Sequence, residues 1–223
     1  MSAKLFFQAT GKFTAGLVIV ALLLFVPAGS LSYAQAWLFL GILFIPMFGA
    51  GIVMMIKNPE LLKKRLRAKE KESDQKTVIL LSAIMFAAAF IVAGLNYRFG
   101  WLVMPMWLCI VFAVVFLCAY LLYAEVLREN VYLSRTIEVQ EDQKIIDTGL
   151  YGVVRHPMYM STLLLFLSMP LVLGSLFSFA IILFYIPMII VRIKGEERVL
   201  EAGLPGYTGY KQRVKYRLIP FIW

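Results

Sequence analysis

Charge is scarce in this chain: 16% of its 223 residues are Asp, Glu, Lys or Arg, while 61% are hydrophobic. A soluble domain needs about a quarter of its residues charged, so an ordinary water-soluble globule is excluded. Cysteine occurs twice, as Cys109 and Cys118, both inside an apolar run. That placement argues against a disulfide framework and against a Cys-based metal site, and no metal is expected. Histidine occurs once, as His156. Walker loops, GxGxxG turns and zinc-finger spacings are all missing, so the net charge of +9 does not point to nucleic acid. The basic excess suits anionic lipid headgroups instead.

Long apolar runs are what the chain does have, and its mean hydropathy is +0.82. A helix needs about 20 apolar residues to cross the bilayer hydrocarbon, and nothing here shows the sustained alternation of a membrane β-barrel. The expected fold is therefore an all-α, polytopic membrane protein. Segments are expected at Phe13–Gly29, Ala34–Ile56 with Pro46 as a kink, Thr77–Leu95 and Trp101–Ala124. The first lacks a small-x-small cleavage site, and the second follows after a four-residue turn, so neither reads as a removable signal.

Two further runs, 158–173 and 176–191, are joined by Gly174-Ser175 and read as a helical hairpin. Pro157 and Ser175 suit helix starts. About six passes then place Lys4, Lys12, the basic 57–76 segment, the 125–157 linker and the tail on one side, leaving Arg98 as the lone basic residue on the other. By the positive-inside rule both termini are expected in the cytoplasm. The organisation expected is one membrane domain over 1–223, with four helices in 1–124 and a catalytic region in 125–223 that holds the linker, the 158–191 hairpin, a cytoplasmic cofactor pocket and a tail. An extended stretch is expected around 136–139 and a turn near 147–149. Gly16 or Gly41 can pack helices within one chain or between two, so the oligomeric state stays open.

The polar residues cluster at the hairpin's ends. Arg155 and His156 precede Pro157, beside the free N–H groups and positive end of a helix, a setting suited to an anion. The chain returns through Arg192 and Glu196, which are four apart on one helical face, while Glu197 points about 100° away. Antiparallel geometry brings these groups to the same end. From residue physics alone, Glu196 and Glu197 also suit a solvated turn paired with Arg192, Lys194 or Arg198. Tyr207 and Tyr210 suit an interfacial aromatic belt. Arg213, Lys215 and Arg217 are read as headgroup-facing.

The ordered pattern Gly149-x-Tyr151-x-x-x-Arg155-His156-Pro157-x-Tyr159, then Arg192-x-x-x-Glu196-Glu197-x-x-Leu200, then Tyr207-x-x-Tyr210-x-x-x-Val214 and Pro220 resembles the isoprenylcysteine carboxyl methyltransferase family over roughly the last third of the chain. The resemblance implies a membrane methyltransferase using S-adenosylmethionine beneath a lipid-open substrate entrance. It implies cofactor contacts from His156, Tyr159, Glu196, Glu197, Tyr151, Tyr207 and Tyr210. It also implies catalytic roles for Arg192, Arg155 and Glu197, with Arg192 beside the reacting carboxylate.

The implied partner is a lipophilic, membrane-embedded acceptor such as a prenylcysteine. A carboxylate acceptor is already ionised and needs alignment rather than a base. An amine acceptor would need a proton removed, which turns attention to Glu196 or Glu197. Methylation of a phospholipid amine or another lipophilic small molecule is the alternative. A reductase on the same helical architecture and a non-enzymatic scaffold or transporter are further readings, and the charge-poor passes lend the transporter little support.

Overall fold

The computed structural model describes residues 3–66, 73–130, 132–133, 139–140 and 142–223. The stretch expected to be extended around 136–139 lies, apart from Val139, outside the described residues, as does the 67–72 part of the basic segment. The described residues form helices α1 (Ala3–Ala28), α2 (Ala34–Lys57), α3 (Pro59–Leu66), α4 (Ser73–Phe99), α5 (Met106–Glu129), α6 (Pro157–Val172), α7 (Leu176–Ile182), α8 (Tyr185–Gly203) and α9 (Tyr207–Arg213). A 3₁₀ turn covers Gly149–Gly152, and the only strand-like pairing among these residues is an isolated bridge from Val103 to Ser175.

Five stretches are long and apolar enough to cross a membrane: Leu5–Ala28, Ala34–Lys57, Thr77–Phe99, Met106–Glu129 and Leu176–Gly203. The 24 residues of α2 reach about 36 Å at 1.5 Å each, beyond the roughly 30 Å of hydrocarbon. The 16 residues of α6 reach only about 24 Å by the same measure. The expected six passes are thus five by length and composition. An odd count argues against both termini lying on the cytoplasmic side, and that expectation is corrected.

The element ends also differ from expectation. α5 starts at Met106 rather than Trp101, because Pro105 holds an extended N-cap (φ −64°, ψ 144°). Residues 101–105 are instead tied across the bundle: Asn96 Nδ2 donates to the Leu102 carbonyl, Leu102 N–H donates back to Asn96 Oδ1, and Met104 N–H donates to the Gly174 carbonyl. The Tyr33 hydroxyl donates to the Leu173 carbonyl at 2.5 Å, so the end of α6 is pinned between α2 and α5. Ser175 Oγ accepts from Ser178 N–H and starts α7.

Large apolar side chains such as Phe7, Ile45 and Leu121 lie exposed on the outside, as expected where lipid is the solvent. Inside, Phe39 meets Phe90 and Phe116, and Phe86 meets Phe166 edge-on. α1 and α4 cross at Gly94, where an added Cβ would lie 2.5 Å from the Leu24 carbonyl oxygen. Small residues permit that approach, which supplies the packing attraction that water would otherwise drive. Gly41 has no atom near its Cβ position, and Gly16 faces Phe44 of the same chain at 3.9 Å.

Candidate functional site

At one end of the bundle, α5 hands over to the linker, α6 begins, α8 continues past its apolar part, and the tail returns. Pro157 is the first residue of α6 and His156 its N-cap. Pro at this position loses no hydrogen bond, since the first-turn N–H has no helical partner. The preceding backbone is held by the tail: Arg155 N–H donates to the Tyr216 carbonyl and His156 N–H to the Arg217 carbonyl, both at 2.9 Å.

Glu197 is the centre of this junction and is 3% exposed. Its Oε1 accepts from Arg155 Nε at 2.8 Å and Nη2 at 2.8 Å, and lies 3.3 Å from His156 Nε2. A carboxylate only accepts, so that imidazole nitrogen donates. Oε2 accepts from Arg217 Nε at 2.9 Å, with Lys211 Nζ at 4.0 Å. Arg155 Nη1 donates to the carbonyls of Val214 and Lys215. Glu197 therefore has both oxygens engaged and is not among the residues that line the cavity. Arg217, read from sequence as headgroup-facing, is part of the same cluster, and its guanidinium lies over the Trp223 ring at 5.3 Å.

The cavity itself is lined by Arg155, His156, Tyr159, Arg192 and Glu196 on the α6 and α8 side. Asn130, Lys144, Ile145, Tyr151, Tyr207 and Tyr210 close it from the linker and tail. The Tyr159 hydroxyl donates to Glu196 Oε2, and Arg192 interacts with the same hydroxyl. Asn130 Nδ2 donates to the Tyr151 hydroxyl at 3.0 Å, and the Tyr210 hydroxyl donates to the Tyr151 carbonyl at 2.8 Å. Tyr151 is set by the turn at Gly149, whose φ is +55° and whose absent Cβ leaves space for Glu129; that carboxylate accepts from Leu150 N–H.

The sequence reading thus has its residues brought together, with Glu197 set apart from the cavity. It missed Asn130, Lys144, Ile145 and Arg217. The first three lie in a polar linker without periodicity, whereas Arg217 carried a usable signal: the tail after α8 is basic, and two of its cations, Lys211 and Arg217, reach the buried Glu197.

One polar atom stands out. The Tyr207 hydroxyl is the buried side-chain oxygen or nitrogen with no hydrogen-bond partner among the described residues, on a side chain 4% exposed. Burial raises its pKa well above the usual phenol value, and the charges of Glu197 and Glu196 add to this, so it stays a neutral donor. An orphaned buried hydroxyl is costly without a partner, and a ligand would supply one.

The donor set fits S-adenosylmethionine. Glu196 can accept from an ammonium or ribose hydroxyls, His156 and the nearby cations can hold a carboxylate, and tyrosine faces suit adenine and a sulfonium. No group of three or more His, Cys, Asp or Glu suited to a metal occurs among the described residues.

Residues 104–204 match the phospholipid methyltransferase family. The stretch runs from the start of α5 to the end of α8 and contains Arg155, His156, Tyr159, Arg192, Glu196 and Glu197. This finding corrects the resemblance to isoprenylcysteine carboxyl methyltransferases. Many of the residues that carried that resemblance, among them Tyr151, His156, Tyr159, Arg192 and Glu196, line the cavity, and a pattern suited to a cofactor does not by itself specify an acceptor. The chain is also 29% identical over 91 residues to the mouse (Mus musculus) protein Delta(14)-sterol reductase TM7SF2, across 40% of this chain and 22% of that protein. The chain thus spans about a fifth of that relative's length. The family match supports S-adenosylmethionine as the cofactor, and the donor set around the cavity fits that molecule.

Proposed function

We propose that the chain transfers a methyl group to the amine of a phospholipid headgroup. The observation that carries this reading is the cavity at the bundle's polar end, where Glu196, His156 and the partnerless Tyr207 hydroxyl meet, within the stretch similar to phospholipid methyltransferases. Bound there, S-adenosylmethionine supplies an electrophilic methyl group. Tyr151, His156, Tyr207, Tyr210 and Glu196 hold the cofactor, with Tyr159 and Glu196 at its border with the acceptor. Arg192, on the cavity side of α8, faces the anionic phosphate next to the amine and so orients the headgroup. Arg155, Glu197 and Arg217 position the tail and the start of α6. Residues 125–223 carry this chemistry on a membrane frame formed by 1–124.

The reading is tested by calorimetry on the detergent-purified chain and by transfer of labelled methyl to vesicles of phosphatidylethanolamine in phosphatidylcholine. Binding of S-adenosylmethionine is expected, weakened about tenfold or more in His156→Ala and severalfold in Tyr207→Phe, with label recovered as an N-methyl lipid. Folded protein that binds no S-adenosylmethionine sinks the reading. The similarity to a sterol reductase supports a second reading, reduction at the same cavity. It is selected if a reduced nicotinamide dinucleotide binds in the calorimeter and S-adenosylmethionine does not.

A further inference from the structure

An amine acceptor presents a requirement that a carboxylate acceptor does not. At neutral pH the headgroup is an ammonium without a lone pair, so a proton must leave before or during attack. Two adjacent carboxylates, Glu196 and Glu197, are available, and their surroundings differ. Glu197 is enclosed by Arg155, His156, Arg217 and Lys211. A proton placed on it would break a buried ion cluster, and its oxygens do not reach the cavity. Glu196 is half-buried and lines the cavity, with the Tyr159 hydroxyl donating to one oxygen.

We propose that Glu196 is the proton acceptor for the lipid amine, an assignment that rests on the amine-methylation reading above. The ammonium proton passes to a Glu196 carboxylate oxygen. The freed nitrogen lone pair bonds to the methyl carbon as the carbon–sulfur bond breaks and leaves its pair on sulfur, and the proton then leaves Glu196 for water. The product is a methylated ammonium, and each further round sheds one more proton by the same route. A proton on Glu196 converts a charged acid to a neutral one beside Arg192 and the cationic headgroup.

The groups facing Glu196 are Tyr159 from α6, Arg192 on its own helix, Tyr151 from the 3₁₀ turn and Tyr207 from α9, with Lys144 of the linker and His156 on the same cavity. His156 is the competing base. It is 4% exposed, donates from Nε2 to Glu197, and stands beside Arg155 at a helix N-terminus.

The test uses the full chain in detergent with the phosphatidylethanolamine vesicles above. Glu196→Gln keeps size and hydrogen bonding but cannot take the proton. It is expected to lower kcat, read at saturating S-adenosylmethionine, by about 10²–10⁴, well beyond any accompanying loss of calorimetric affinity for the cofactor. Its residual rate is expected to rise tenfold per pH unit, because the amine must then arrive deprotonated. Tyr159→Phe, which leaves the carboxylate in place, is expected to keep a wild-type pH slope with a smaller loss of kcat.

Glu196→Gln with kcat within threefold of wild type overturns the assignment. So does a fall in kcat matched by an equal loss of cofactor affinity, which marks a binding contact. A steep pH slope in His156→Asn, with Glu196→Gln unchanged, transfers the role to the imidazole. Wild-type protein that binds the cofactor yet methylates no lipid amine overturns the acceptor reading, and this assignment with it.

Discussion

Replacing Glu197 by Ala removes the carboxylate that Arg155, His156 and Arg217 share. Arg155 and His156 are 6% and 4% exposed, so neither recovers full hydration when its partner goes. Arg155 keeps two carbonyl acceptors, on Val214 and Lys215, but loses two charge-assisted bonds, and Arg217 loses one. Removing one partner of a buried ion pair destabilises by about 3–5 kcal/mol, most of it the penalty of the stranded charge.

At about 2–4 °C per kcal/mol for a chain of this size, the expected fall in Tm is roughly 6–20 °C. Intrinsic tryptophan fluorescence in detergent reads it, and Trp223 over Arg217 is a local reporter. The control is the double variant Arg155→Met with Glu197→Leu. Replacing a buried pair by apolar groups is often neutral or stabilising, so this variant is expected to recover much of the lost Tm. An unchanged Tm in Glu197→Ala would refute the claim that this cluster clamps the tail to α6. A double variant no more stable than the single one would refute the stranded-charge account of its size.

Two glycines give further predictions. Gly149→Ala places a Cβ 1.8 Å from Glu129 Oε1 at a φ of +55°. Left-handed backbone costs about 1–2 kcal/mol, and Glu129 must release Leu150, so a loss of about 2–3 kcal/mol in thermal unfolding and a severalfold weaker calorimetric Kd for the cofactor are expected as Tyr151 moves. Gly94→Ala sets two effects against each other. Helix propensity favours Ala by about 1 kcal/mol, but a Cβ 2.5 Å from the Leu24 backbone oxygen forces α1 from α4, and overpacking costs about 1–3 kcal/mol. A net loss of Tm with unchanged cofactor affinity is expected, since the site lies on other helices.

Most of the membrane helices were legible because lipid imposes one rule on every exposed side chain, and a 20-residue apolar run needs no tertiary knowledge. The ends were less legible. α1 and α4 continue through polar residues past their apolar runs, because a backbone helix is not bound to stop where hydrocarbon does. Residues 101–105 read as helix by apolarity but are not helical, since Pro105 caps α5 and Asn96 takes the free backbone groups of Leu102. Arg155, His156, Arg192 and Glu196 were legible as a site because the return of the chain from α6 through α8 is nearly fixed by its short connection. Lys144 was not, because a linker without periodicity folds by its partners, and Arg217 was legible only as one of the tail's basic residues.

The division between Glu196 and Glu197 shows how little sequence such a site requires. Successive residues on a helix point about 100° apart, so one turn of α8 offers one carboxylate to the tail and its neighbour to the cavity. Glu197 turned inward gathers Arg155, His156 and Arg217 into a wall. That wall holds the start of α6, and with it the Tyr159 hydroxyl, against Glu196. Exchanging the two surroundings would leave the composition unchanged and place a saturated carboxylate in the cavity, where it could take no proton. The adjacent acids are therefore not redundant: one fixes the site by being neutralised, and the other is left open to chemistry.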